Sequence, residues 1–219
     1  MKDAQSEKAL SIYVECMEEA KHRLVAAEIF CAGKTKQPQF DTESSCLQLR
    51  KVLELIAFAS IAPHKSKYAQ WRAEALNSHG DFRKDFNGKA ILTSLMAINP
   101  YSFPRPFSPP VKTENGWHFP KFHGDCLTKK KYERLYDKCG ALLHADNPWG
   151  NKKFYQDFRS NIPKHITLIR SLLNFHNIIV QHAGGSTVIF VILGDITKKA
   201  KGYIGCAEVD CSISENYYE

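Results

Sequence analysis

The residues of this chain best suited to chemistry are cations set among aromatic rings. Lys129-Lys130-Lys131, Arg134 and Lys138 stand close together, and Lys152 and Lys153 follow beyond the turn Asp146-Asn147-Pro148-Trp149-Gly150. Tyr132, Tyr136, Trp149, Phe154 and Tyr155 are interleaved with them. Ammonium and guanidinium groups hold phosphates while aromatic faces stack bases, so this mixture suits RNA or single-stranded DNA. The same pattern also reads as a solvated helix face whose rings pack inward, and an acidic protein partner would answer to the same charge. The candidate nucleic-acid-binding residues are Lys129, Lys130, Lys131, Arg134, Lys138, Lys152, Lys153, Tyr132 and Tyr136.

Several well-known chemistries have no counterpart in the sequence. Gly184-Gly185-Ser186 lacks the lysine and the spacing of a phosphate loop. There is no Gly-x-Ser-x-Gly elbow and no His-Glu-x-x-His. His118, His123 and Cys126, followed by Cys139 and His144, follow no zinc-ligand spacing, so neither a metal nor a cofactor is expected. On a helix, Cys139 and His144 would stand about 140° apart and share no face, which disfavours a thiol–imidazole pair.

The charge is concentrated. The 219 residues hold 30 Lys+Arg against 23 Asp+Glu, a net +7. Residues 64–120 carry +4 and residues 121–175 carry +6, whereas 1–63 and 176–219 are slightly acidic at −1 and −2. With 43% hydrophobic and 24% charged residues the chain builds a real core, which excludes wholesale disorder, collagen-like repetition and a small disulfide scaffold.

The elements that must position these cations follow from periodicity. Leu10, Tyr13, Val14, Met17, Leu24 and Ala27 predict a helix over 6–31, stopped near Gly33. A second, strongly apolar helix is expected over 43–62, capped by Asp41 or Thr42, ended by Pro63 and central to a bundle. Helical patterns follow at 66–77 and 83–98, the latter with Phe86 on its apolar face. Six of the ten prolines lie in 99–122 and forbid helix there. Within that stretch Val111 to Phe119 alternates around Asn115-Gly116, which predicts a β-hairpin. The cationic segment is expected as a helix over 128–144 with Thr128 as cap, followed by a helix over 151–175 broken or bent near Pro163. Runs rich in β-branched residues at 177–181, 187–193 and 202–209 predict strands.

The expected fold is therefore α+β: mainly a helical bundle, with a small C-terminal antiparallel β-sheet and a Pro-rich hairpin insertion. Its parts are 1–98 (bundle, first part), 99–122 (Pro-rich loop and hairpin) and 123–219 (helices, then sheet), together forming one compact domain. The charged start lacks a secretory pattern, no apolar run is long enough to span a bilayer, and seven scattered cysteines read as buried thiols. A cytoplasmic location is the expectation.

Ser44-Ser45-Cys46-Leu47-Gln48-Leu49-Arg50-Lys51-Val52-Leu53-Glu54-Leu55-Ile56-Ala57 resembles the core helix of HEPN-type bacterial helical domains. Tyr132-Glu133-Arg134-Leu135-Tyr136, running to Leu142-Leu143-His144-Ala145, looks like the later helix of such domains, where a tyrosine precedes a terminal histidine. The resemblance covers about half the chain. It implies a nucleic-acid-binding component, or a metal-independent ribonuclease, of toxin–antitoxin and antiphage systems, usually dimeric. That family's catalytic pattern, an arginine and then a histidine after four to six residues, is matched in count by Arg72–His79, Arg159–His165 and Arg170–His176. His144, Arg170 and His176 are the catalytic candidates on this likeness. A histidine would exchange protons with the 2′-hydroxyl or leaving oxygen, and an arginine would hold the phosphate. His144 has an equally good structural role, closing the last turn of its helix as a cation.

Three functions therefore stand open. The first is a non-enzymatic component binding nucleic acid or an acidic partner, encoded nearby, in a bacterial defence or stress system. The second is the ribonuclease. The third is a structural subunit that pairs through a sheet edge.

Overall fold

The computed structural model describes residues 4–74, 81–114, 116–145, 147–149, 155–182 and 185–207. Helix α1 (Ala4–Cys31) buries Tyr13, Met17, Ala20, Leu24 and Ala27, a seam of alternating three- and four-residue steps laid along α2. Gly33 ends it with φ +91°, a left-handed conformation that costs glycine nothing.

Helix α2 (Pro38–Ile61) starts five residues earlier than expected, because Pro38 takes the first helical position and Gln37 stands before it in an extended conformation. Asp41 is thus not its cap. From inside the first turn its carboxylate accepts the backbone N–H groups of Lys34 and Thr35, tying the preceding loop down. Packed against α1 and against the later helices at 88–98, 129–143 and 155–173, α2 is the central helix the sequence predicts. Leu47 is the exception, lying exposed on the stripe left uncovered. The helix ends just ahead of Pro63, as expected, and a 3₁₀ turn (Ala62–His64) leads straight into α3 (Lys65–Glu74).

Helix α4 (Gly88–Ile98) begins later than predicted, where the Asn87 side chain accepts the Ala90 N–H. That leaves Phe86, expected in the core, 80% exposed. The Pro-rich segment then contributes more than a hairpin. Two residues, Arg105–Pro106, form β1 and pair with residues 176–177 of a later strand at the sheet edge, a place where proline is tolerated, and Phe103 and Phe107 are buried beside them. The expected hairpin follows as β2 (Val111–Thr113) and β3 (Gly116–His118), with Lys112 opposite Trp117.

Helix α5 (Lys129–Leu143) is capped as predicted by Thr128, whose hydroxyl accepts the Lys131 N–H. Helix α6 (Tyr155–Leu173) runs through Pro163 without the expected break. Proline removes the N–H that would meet the Arg159 carbonyl. Here the Cys31 thiol approaches that carbonyl at 3.9 Å, and Thr167 donates to the Pro163 carbonyl.

The chain closes with β4 (Phe175–His182), β5 (Gly185–Ile192) and β6 (Lys201–Ala207), antiparallel in the order β1-β4-β5-β6. Ile178, Ile189, Val191 and Leu193 join the helical core, so sheet and bundle share one interior. The fold is α+β and mainly helical. No helix among the described residues is long and apolar enough to cross a membrane.

Candidate nucleic-acid interface

The geometry of α5 sorts the cationic cluster. Its buried residues Tyr132, Leu135, Tyr136, Cys139 and Leu142 recur at helical spacing and face the bundle. Lys130, Arg134, Asp137, Lys138 and Ala141 therefore form the outer face. Consecutive residues turn by about 100°, so the three successive lysines point in three directions. Lys129 leans toward Glu133, 3.8 Å away, and Lys131 bonds the Asp125 carboxylate and, at 3.2 Å, the Cys126 carbonyl. Lys130, Arg134 and Lys138 remain, exposed and without a carboxylate partner among the described residues. They sit at i, i+4 and i+8, one turn apart, about 6 Å per step along the axis. Lys152 and Lys153 lie outside the described residues.

Tyr132 and Tyr136 do not serve as stacking platforms, which corrects the sequence expectation. Both are buried, with rings stacked on each other at 6.1 Å. The Tyr132 hydroxyl donates to the Leu53 carbonyl at 2.9 Å, and the Tyr136 hydroxyl accepts the Gly88 N–H at 3.0 Å. The Arg50 guanidinium lies 3.4 Å over the Tyr136 ring, donates to the Tyr136 carbonyl and pairs with Glu54. Burial holds the Tyr132 phenol well above its ordinary pKa. These rings weld α5 to α2 and α4. Trp149, by contrast, is 92% exposed on the connection between α5 and α6.

A groove of about 360 Å³ opens between those two helices. Lys138, Ala141 and Leu142 line it from α5, and Asp157, Phe158, Asn161 and His165 from α6. His165 lies against the Phe158 ring at 5.9 Å. Its pKa is lowered, first by burial and then by the charges of Lys138 and Lys164, so it is neutral at pH 7. Lys164 is the residue that carries positive charge onto α6 beside the groove. Sequence reading did not assign Asn161 or His165 to this groove. The available signal was their four-residue spacing, which places both on a stripe beside the apolar Ile162, Ile166 and Ile169.

The catalytic candidates are dispersed. His144 caps the C-terminal end of α5 and is exposed. Arg170, in the last turn of α6, is held by both oxygens of Glu28 on α1 at 2.5 and 2.7 Å. His176 is in the interior on β4, 0% exposed, and both ring nitrogens are engaged. Its Nδ1 donates to the Leu173 carbonyl at 2.7 Å, and its Nε2 accepts the Tyr13 hydroxyl at 3.0 Å. Burial lowers its pKa to about 4. In this geometry Arg170 and His176 do not meet, and no substrate reaches the imidazole. Arg159 is likewise occupied, donating to the Cys31 and Pro38 carbonyls, and Arg72 pairs with Asp85. His79 lies outside the described residues. Among the described residues no group of three His, Cys, Asp or Glu side chains is placed to hold a metal ion.

Compared with protein families, with curated proteins and with solved structures, the chain matches none.

Proposed function

We propose that the α5–α6 face binds nucleic acid through its phosphates and that the protein works as a binding component rather than as an enzyme. The observation that carries this is the ladder of Lys130, Arg134 and Lys138, three exposed cations on one helix face with no carboxylate drawing them inward. Lys164 extends the positive field onto α6, and the charges of Lys138 and Lys164 both reach His165. Such a face neutralises a row of phosphates and releases their counterions, which makes affinity fall steeply with salt. The likeness of residues 44–57 and 132–145 to HEPN-type domains points to the same class of ligand.

Fluorescence anisotropy with a labelled single-stranded RNA tests the reading. Three neutralised phosphates give a log–log salt slope of about −2, hence roughly fifteenfold weaker binding between about 50 and 200 mM salt. The triple variant Lys130→Glu, Arg134→Glu, Lys138→Glu is expected to lose binding while keeping its circular dichroism. Salt-insensitive binding, or a triple variant that binds as well as the wild type, refutes the proposal.

A further inference from the structure

The groove beside the cationic ladder differs from it in chemistry. Its apolar lining is Ala141, Leu142 and Phe158, and its polar lining is Lys138, Asn161, His165 and Asp157. Asp157 is exposed, so its negative charge faces whatever enters. Beside Lys138 that carboxylate makes the lining mixed in charge, unlike the uniformly cationic ladder. A nucleobase is suited to it, with two apolar faces for Leu142 and the His165 ring and a polar edge for Asn161 and Asp157. A carboxylate accepts well from an exocyclic amino group, as acidic side chains do from cytosine. Asn161 Nδ2 already donates to the Asp157 backbone carbonyl at 2.7 Å, which fixes that amide in the lining. At about 360 Å³ the groove holds a base but not a base pair together with its backbones.

We infer that this groove takes one unstacked base of a single strand and prefers a base with an exocyclic amino group, while the strand's phosphates run along Lys130, Arg134 and Lys138. The inference rests on the phosphate-binding reading of α5 and adds the ligand's form: single-stranded, with one base turned out of its stack. A duplex keeps its bases paired and cannot fill the site without paying to extrude one.

The test uses the full-length protein and four probes of about 12 nucleotides: oligocytidylate, oligouridylate, an abasic strand of equal charge, and a duplex. Stacking and edge contacts at one base predict that oligocytidylate binds about tenfold tighter than the abasic strand. Oligouridylate is expected between the two. Ala141→Phe, at an exposed position where a larger side chain plugs the groove, brings oligocytidylate down to the abasic level. Asp157→Asn narrows the gap between cytosine and uracil. Equal binding of oligocytidylate and the abasic strand, tighter binding of the duplex, or indifference to Ala141→Phe overturns the inference. The abasic strand reads the phosphates alone. If it binds with the expected salt slope while base identity is ignored, only the groove assignment fails. If no probe binds, both fail.

Discussion

His176 makes the stability of this protein depend on pH in a calculable way. The imidazole is enclosed between the Tyr13 hydroxyl and the Leu173 carbonyl. Its Nε2 can accept a proton only by giving up the Tyr13 bond inside a dry core. Burial therefore lowers its pKa from 6.5 to about 4 in the folded protein. Between those values the unfolded chain binds the proton and the folded chain does not, so stability is intact above pH 6.5 and falls as the pH drops toward 4. At about 1.4 kcal/mol per pK unit the whole effect is about 3 kcal/mol, of which about 2.5 kcal/mol is lost by pH 4.5. Other groups titrate in this window too, and the comparison that isolates His176 is with His176→Gln, which offers a donor and an acceptor but no titrating group. Urea unfolding of both proteins between about pH 7.5 and 4.5, followed by circular dichroism, is the assay. The wild type's stability relative to the variant should fall by about 2.5 kcal/mol across that range. Two stability curves that stay parallel over the range refute the reasoning, because a solvated or hydrogen-bond-compensated imidazole gives no such divergence.

Three further tests address the helices. Tyr136→Phe removes the acceptor of the Gly88 N–H and should cost about 1–2 kcal/mol in urea unfolding while leaving RNA affinity unchanged; unchanged stability would refute the contact, whereas weakened RNA binding in a stably folded Tyr136→Leu variant would restore the stacking role. Gly88→Ala places a Cβ 2.9 Å from the Tyr132 hydroxyl and 3.3 Å from the Glu54 Cα, so it should destabilise the same junction by about 1–3 kcal/mol, read from thermal unfolding. Pro163→Ala restores an N–H inside a helix that already continues through this position, and a higher melting temperature is expected, worth about 1–3 kcal/mol; an unchanged or lower one would show that the proline is needed where it stands.

Local signals made much of the fold legible. The seam of Tyr13, Met17, Leu24 and Ala27 identified α1, Thr128 marked the start of α5, and Asn115-Gly116 located the hairpin. Those features depend on residues within a turn or two of one another. The misjudged positions depended on distant partners. Phe86 continues an apolar pattern, yet Asn87 starts α4 just after it and leaves the ring outside. Pro163 should break a helix, but the thiol of Cys31, far away in sequence, faces the carbonyl it orphans. β1 is only two residues long and has no pattern of its own; β4 defines it.

The candidate site divides along the same line. The sequence alone determined that positive charge gathers on the helix over 129–143, because charge and periodicity are written into the order of residues. It could not decide which of those groups face water. Tyr132 and Tyr136 turn inward because the Leu53 carbonyl accepts the Tyr132 hydroxyl and the Gly88 N–H donates to the Tyr136 hydroxyl, and Lys131 is drawn aside by Asp125. His176, attractive beside Arg170 in sequence, disappears into the core because β4 packs against α1 and α6. The groove exists only where α5 and α6 lie side by side. Exposure and concavity are properties of surfaces brought together by packing, and for that reason only the tertiary structure separated the ladder of Lys130, Arg134 and Lys138 from the rest of the basic segment.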